Sequence, residues 1–154
     1  MKKLLFVICM VLASTSAFAQ QGKMSVGIHG GYILDSPNNF GIGANFGYEV
    51  INNVRGVGEF NYFLKKDGIS YWNAEVNAEY LFKLADGAFT IYPLAGLDIL
   101  GASWDGGSES KMGLNLGAGV EYQLSEKLAL KAEYNYKTQG DGWSLLKFGV
   151  VIPF

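Results

Sequence analysis

Counting back in twos from Phe154 gives Ile152, Val150, Phe148 and Leu146, an unbroken apolar face at the end of the chain. The intervening positions, Pro153, Val151, Gly149, Lys147 and Leu145, are mixed and carry a charge. A period of two belongs to a β-strand, whose side chains alternate between faces. The same alternation recurs eight times, at about 23–34, 40–50, 54–64, 70–82, 89–100, 111–124, 128–138 and 144–154. Turn signals separate these segments: 35–39, Ile51-Asn52-Asn53, 65–69, 83–88, 101–110 as the longest loop, Ser125-Glu126-Lys127 and 139–143. Pro93 falls inside the fifth segment, and since proline cannot donate to a ladder it predicts a bulge there. The chain is all-β.

The charges decide which way the faces point. Glu49, Arg55, Glu59, Glu75, Glu79, Asp98, Glu121, Lys131, Glu133, Lys137 and Lys147 lie within strands, and every one falls on the second face. In a soluble barrel or sandwich that face would meet water, with the apolar face packed inside. Here the second face also holds Gly27, Gly31, Gly41, Gly43, Gly47, Gly96, Gly113, Gly117, Gly119 and Gly149, which suits a narrow, crowded interior. The apolar face is too large and aromatic to be the core of so small a soluble domain. Its aromatics sort by height. Tyr32, Phe40, Tyr62, Trp72 and Tyr136 fall toward one end, and Tyr48, Tyr80, Phe82, Phe89, Tyr122 and Phe154 toward the other. Ala44, Ala78, Ala95, Ala118, Ala132 and Val150 lie between. Two aromatic belts around an aliphatic band are the pattern of a transmembrane barrel of the outer membrane, and strands of this length cross the hydrocarbon when tilted. The expected fold is an eight-stranded antiparallel transmembrane up-and-down β-barrel, with both termini periplasmic because the strand count is even.

The N-terminus agrees. Lys2 and Lys3, an apolar stretch from Leu4 to Ala13, and Ala17-Phe18-Ala19 before Gln20 read as a cleaved secretory signal peptide over 1–19, leaving a barrel domain over 20–154. Cys9, the one cysteine, falls inside that segment after Ile8, which is not the small residue a lipoprotein site needs, so the mature chain has no thiol chemistry. Loss of Lys2 and Lys3 moves the formal charge from −2 to −4, and a mildly acidic chain without a basic patch argues against nucleic acid as a partner.

The stretches Pro93-Leu94-Ala95-Gly96-Leu97 and Gly113-Leu114-Asn115-Leu116-Gly117-Ala118-Gly119-Val120-Glu121-Tyr122 resemble the small outer-membrane β-barrel family, of the OmpX and OmpA-barrel type. Lys131-Ala132-Glu133-Tyr134 and the terminal Phe154 fit as well. The resemblance covers the whole mature chain. It implies a monomer bathed in outer-membrane lipid and inserted by the barrel-assembly machinery, which reads the last strand; Phe148, Val150, Ile152 and Phe154 are then its C-terminal insertion signal. The chain departs from OmpX in its short outer loops and from full-length OmpA in lacking a peptidoglycan-binding domain, so adhesion and cell-wall tethering do not carry over.

No catalytic, cofactor-binding or metal constellation stands out. His29, the only histidine, is expected to face inward opposite Asn45, if Leu34 pairs with Phe40, as a hydrogen-bonded filler. A lipid-modifying enzyme would need a lipid-facing histidine with a serine beside it. Asp105-Gly106-Gly107-Ser108-Glu109 lacks the ligand count of a calcium loop. Trp104 and Trp143 are expected in outer loops at the lipid headgroups. What remains is an interior charge network of Glu49, Arg55, Glu59, Glu75, Glu79, Glu121, Lys131, Glu133, Lys137 and Lys147. Turn arithmetic pairs Glu49 with Arg55 and Glu121 with Lys131, and sets Glu59 against Glu75. That last contact repels unless lysines from the opposite wall reach it. The expected function is a structural or envelope-maintenance role with a plugged lumen and no enzymatic activity; a minor pore for small solutes and an outer-membrane lipid-modifying enzyme are the alternatives.

Overall fold

The alternation becomes a closed wall. The computed structural model describes residues 2–3, 23–35 and 38–154. The leader expected at 1–19 therefore lies almost wholly outside the described residues. The strands are β1 (Met24–Ile33), β2 (Asn39–Ile51), β3 (Val54–Lys66), β4 (Ile69–Tyr80), β5 (Phe82–Leu84), β6 (Phe89–Trp104), β7 (Gly107–Ser125), β8 (Leu128–Lys137) and β9 (Trp143–Pro153). Sequence neighbours pair, except β4 with β5; β1 pairs with β9, and β4 pairs directly with β6. With β4 and β5 forming one interrupted stave, the result is a closed antiparallel barrel of eight strands. Closure pairs the staves on both sides around the wall, which lets a sheet lie in hydrocarbon; β5 and residues 107–113 of β7, at the two rims, pair with β6 alone. β1 starts and the chain ends at the same end of the barrel, where Met24 and Phe154 exchange two backbone hydrogen bonds of 3.2 and 2.9 Å.

Side chains follow the expected parity. Ile28, Ile42, Phe60, Val76, Leu97, Leu116, Leu130 and Phe148 are exposed on the outside, while the polar residues between them are buried within. Met24 departs from it: expected on the outer face, it is only 3% exposed at the seam between first and last strands. On the outside Phe60 of β3 stacks on Trp72 of β4 at 6.0 Å, and Tyr80 meets Phe82 across the interruption between β4 and β5 at 4.9 Å.

Several boundaries differ from expectation. The segment read as a long loop at 101–110 is mostly ladder. β6 continues to Trp104 and β7 begins at Gly107, with only Asp105 and Gly106 between. Glycine and serine there suggest a loop, yet both strands keep their pairing to the tip. Pro93 makes no bulge either. Glu79 pairs with Leu94 and Phe82 with Ile91, so the register is unbroken. The missing proline donor appears instead as the interruption at Leu81 on the facing strand. In the first hairpin Tyr32, not Leu34, pairs with Phe40, and His29 therefore stands opposite Gly43 and not Asn45. A slip of two residues keeps every side chain on its own face. The turn at Asp67 and Gly68, with φ of 53° and 82°, has the two positive values of a type I′ hairpin.

Candidate functional site

The inward face of these strands builds one polar core running the length of the barrel. An eight-stranded barrel is only wide enough for its own side chains, and glycines leave the room. A Cβ at Gly43 would lie 2.2 Å from Asn61 Oδ1 and 2.5 Å from His29 Nε2; one at Gly119 would lie 2.3 Å from the Tyr92 hydroxyl.

Nearest the termini, Arg55 of β3 reaches two strands at once. Its Nη2 lies 2.6 Å from Glu79 Oε2 and 2.6 Å from Glu121 Oε1. Its guanidinium carbon and the Lys131 ammonium stand 5.4 and 5.5 Å from the Tyr92 ring centroid. The Tyr92 hydroxyl donates to Glu133 at 2.8 Å. Lys131 lies 3.0 Å from Glu133 and 3.9 Å from Glu79.

At mid-height Lys147, 2% exposed, is the hub. Its ammonium donates to Glu75 at 2.9 Å and to Glu59, and lies 2.8 Å from Glu133. Glu59 and Glu75 are register partners on β3 and β4, as turn arithmetic places them, and Lys147 sits across both. Glu59, Glu75 and Glu133 converge within 4.8 Å, the spacing of a cation site. The Lys147 ammonium, in contact with all three, takes the position such an ion would need. Lys137, fully buried, adds a second contact to Glu75 and lies 3.5 Å from Asp98. Four cations (Arg55, Lys131, Lys137 and Lys147) thus meet six carboxylates (Glu59, Glu75, Glu79, Asp98, Glu121 and Glu133), so each cation serves at least two.

Asparagines complete the shell. Asn61 donates to Glu59 at 2.9 Å, Asn73 to Asp98 at 2.6 Å, and Asn115 to Glu75 and Asn77 at 3.1 and 2.9 Å. His29 packs against Asn61 Oδ1 at 2.5 Å and Asn45 at 3.4 Å. Asn135, fully buried, has neither side-chain polar atom bonded to protein among the described residues.

At the far end of the lumen stands an aromatic pair, Trp143 and Phe63. Trp143 does not sit among headgroups. It is the first residue of β9, opposite Lys137, and turns inward. Its Nε1 donates to Gln139 Oε1 at 3.2 Å, its ring centroid is 5.5 Å from the Lys137 ammonium, and it meets buried Phe63 edge-on at 6.2 Å. Trp104 is exposed at the tip of β6.

The two charge pairs expected across tight turns are neighbours along the ladder but not ion pairs. Glu49 is opposite Arg55 in register, yet it bonds Lys83 at 2.9 Å while Arg55 turns to Glu79 and Glu121. Glu121 is opposite Lys131, which instead lies against Glu133 and Glu79. Long side chains reach across the lumen to acids that a single hairpin does not offer. Asp98 and Tyr92 also belong to the core, and strand parity already places both inward; Gln139 lies in a turn and carries no such signal. Of the residues expected to form the insertion signal, Phe148, Ile152 and Phe154 are exposed on the outer wall and Val150 is half-buried there.

The chain matches the family described as outer membrane protein beta-barrel domain over residues 5–151. No curated protein matches it. Among solved structures it is similar to the N-terminal β-barrel domain of OprF from Pseudomonas aeruginosa, at 20% identity and a TM-score of 0.73, covering 87% of this chain and 100% of that one. Neisserial surface protein A (NspA) is similar at 20% identity and a TM-score of 0.71, over 86% of this chain and 97% of that one. The attachment invasion locus protein Ail of Yersinia pestis, solved with the heparin analogue sucrose octasulfate, follows at 23% identity and 0.63, over 86% and 99%.

Proposed function

Because the chain belongs to the outer membrane protein beta-barrel domain family, we propose that it is a structural, envelope-maintaining barrel of the Gram-negative outer membrane whose lumen is closed by its own charge network. The family places it in that membrane. The observation that carries the closed lumen is Lys147, buried at mid-height and in contact with Glu59, Glu75 and Glu133 from three other strands. A buried ion network holds only while each charge keeps its partners, so opening a path would strand several charges together. The Trp143 cap shuts the far end.

On this reading the end bearing Met24 and Phe154 is periplasmic, the leader at 1–19 is removed on export, and the barrel stands as a monomer in lipid after insertion by the assembly machinery. It is not an enzyme. His29 is held inside by Asn45 and Asn61, its side-chain hydrogen-bond partners among the described residues. Liposome swelling tests the proposal against a pore. Vesicles carrying the folded barrel should stay shrunken in a small sugar such as arabinose, and swelling at the rate of a porin control would refute it.

A further inference from the structure

At the loop end β7 outruns its neighbour. β8 stops at Lys137, which pairs with Asn115, while β7 begins at Gly107. Residues 107–113 therefore pair with β6 on one side and with no described strand on the other. Leu114 marks which backbone groups are left over. Its N–H donates to Thr138 Oγ1 at 2.8 Å, and its carbonyl accepts from the Thr138 N–H at 3.0 Å. Alternate residues of an antiparallel strand turn both backbone groups to the same side. Met112, Ser110 and Ser108 thus turn theirs away from β6, and residues 107–112 are all exposed.

An unpaired edge of this kind is a template for another strand. Its charges restrict which strand. Glu109 and Lys111 stand two residues apart on one face, and a like charge directly opposite either one is destabilising. A fitting partner sets a cation against Glu109 and an anion against Lys111. The same segment of a second copy does both. Laid antiparallel and centred on Ser110, it sets Glu109 against Lys111 of the second copy, and Lys111 against Glu109 of the second copy. Ser110 then meets its own counterpart in a hydrogen-bonded pair, Ser108 meets Met112, and Gly107 meets Gly113 at each end. The edge is self-complementary, as a two-fold contact requires.

We propose that the free edge of β7 pairs with the same edge of a second copy, joining two barrels loop end to loop end. This rests on the membrane-spanning reading above. The two-fold axis of an antiparallel pair stands normal to the sheet, and for a barrel wall that direction lies in the membrane plane. The two copies therefore sit in facing membranes, and each stays a monomer in its own bilayer. Cross-linking tests the register. The full chain carrying Cys9→Ser is folded into lipid nanodiscs, which leave the loop end open whichever way the barrel inserts, and a single cysteine is added. A hydrogen-bonded pair brings the two Cα atoms at position 110 to about 5.5 Å, within disulfide reach. The two copies of position 108 lie four residues apart along the pair, about 14 Å, and out of reach. Under mild oxidation Ser110→Cys should give a covalent dimer and Ser108→Cys should not. Adding Glu109→Lys or Lys111→Glu to Ser110→Cys should each abolish the dimer. Mixing discs of those two charge reversals should restore it, because every lysine then faces a glutamate. No dimer from Ser110→Cys, or equal yields at 110 and 108, would leave the edge to an extended segment of another protein and overturn the proposal. So would a dimer that survives either single reversal, or a mixture that fails to restore it. Discs that take up no folded barrel would instead strike the membrane-spanning reading itself.

Discussion

Lys147 shows what a single residue contributes and what its sequence position conceals. Parity places its side chain in the lumen, and the like-charge facing of Glu59 and Glu75 calls for a cation from the opposite wall. Which lysine answers, and that Glu133 joins them, depends on the curvature of the closed barrel and not on any local pattern. Lys147→Ala should lower unfolding free energy by about 3–5 kcal/mol, because it leaves the buried Glu59 carboxylate without its lysine. Glu59→Gln should restore part of that loss. Glu75 keeps Lys137, whereas Glu59 would be left with neutral donors and His29. A urea refolding titration of the double-mutant cycle measures the coupling, and simple additivity would show that the hub is not one. Gly119→Val tests crowding directly. Its branches would collide with the Tyr92 hydroxyl, displacing the bond to Glu133 at a cost of about 1–3 kcal/mol in the same titration.

Strands were legible wherever alternation was strict, and misread where composition masked it. The tip of the β6–β7 hairpin is rich in glycine and serine and reads as a loop, although pairing runs unbroken to Trp104 and Gly107. Pro93 signals an irregularity that falls on the facing strand instead. Tryptophan is common among headgroups, which is the expectation for Trp143, but its register opposite Lys137 turns it inward. The two faces were legible throughout, and they carry different costs. Ala118 and Ala132 lie on the outer wall of β7 and β8, so Ala118→Arg and Ala132→Arg should each cost about 2–4 kcal/mol in refolding titrations into lipid. Gly117→Arg, one position away and inward, should destabilise in detergent and lipid alike, since a Cβ there lies 2.2 Å from the Tyr134 carbonyl oxygen. Neutral outer-wall arginines would invert the assignment of faces.

At the scale of the whole molecule the last strand completes the barrel, and Phe154 closes its seam through both backbone bonds to Met24. Deleting Phe154 should therefore lower the amount of barrel reaching the outer membrane in cells well before it lowers the unfolding midpoint of barrel already folded. Equal membrane levels for the truncated and full chains would count against a role in insertion. On the proposed reading, the polar lumen and the aromatic contacts at its far end close the barrel to ions. Planar-bilayer recording on the folded wild-type barrel tests that most directly: the current should stay at baseline across the voltage range, and a steady, open conductance would contradict a lumen sealed by its own charges.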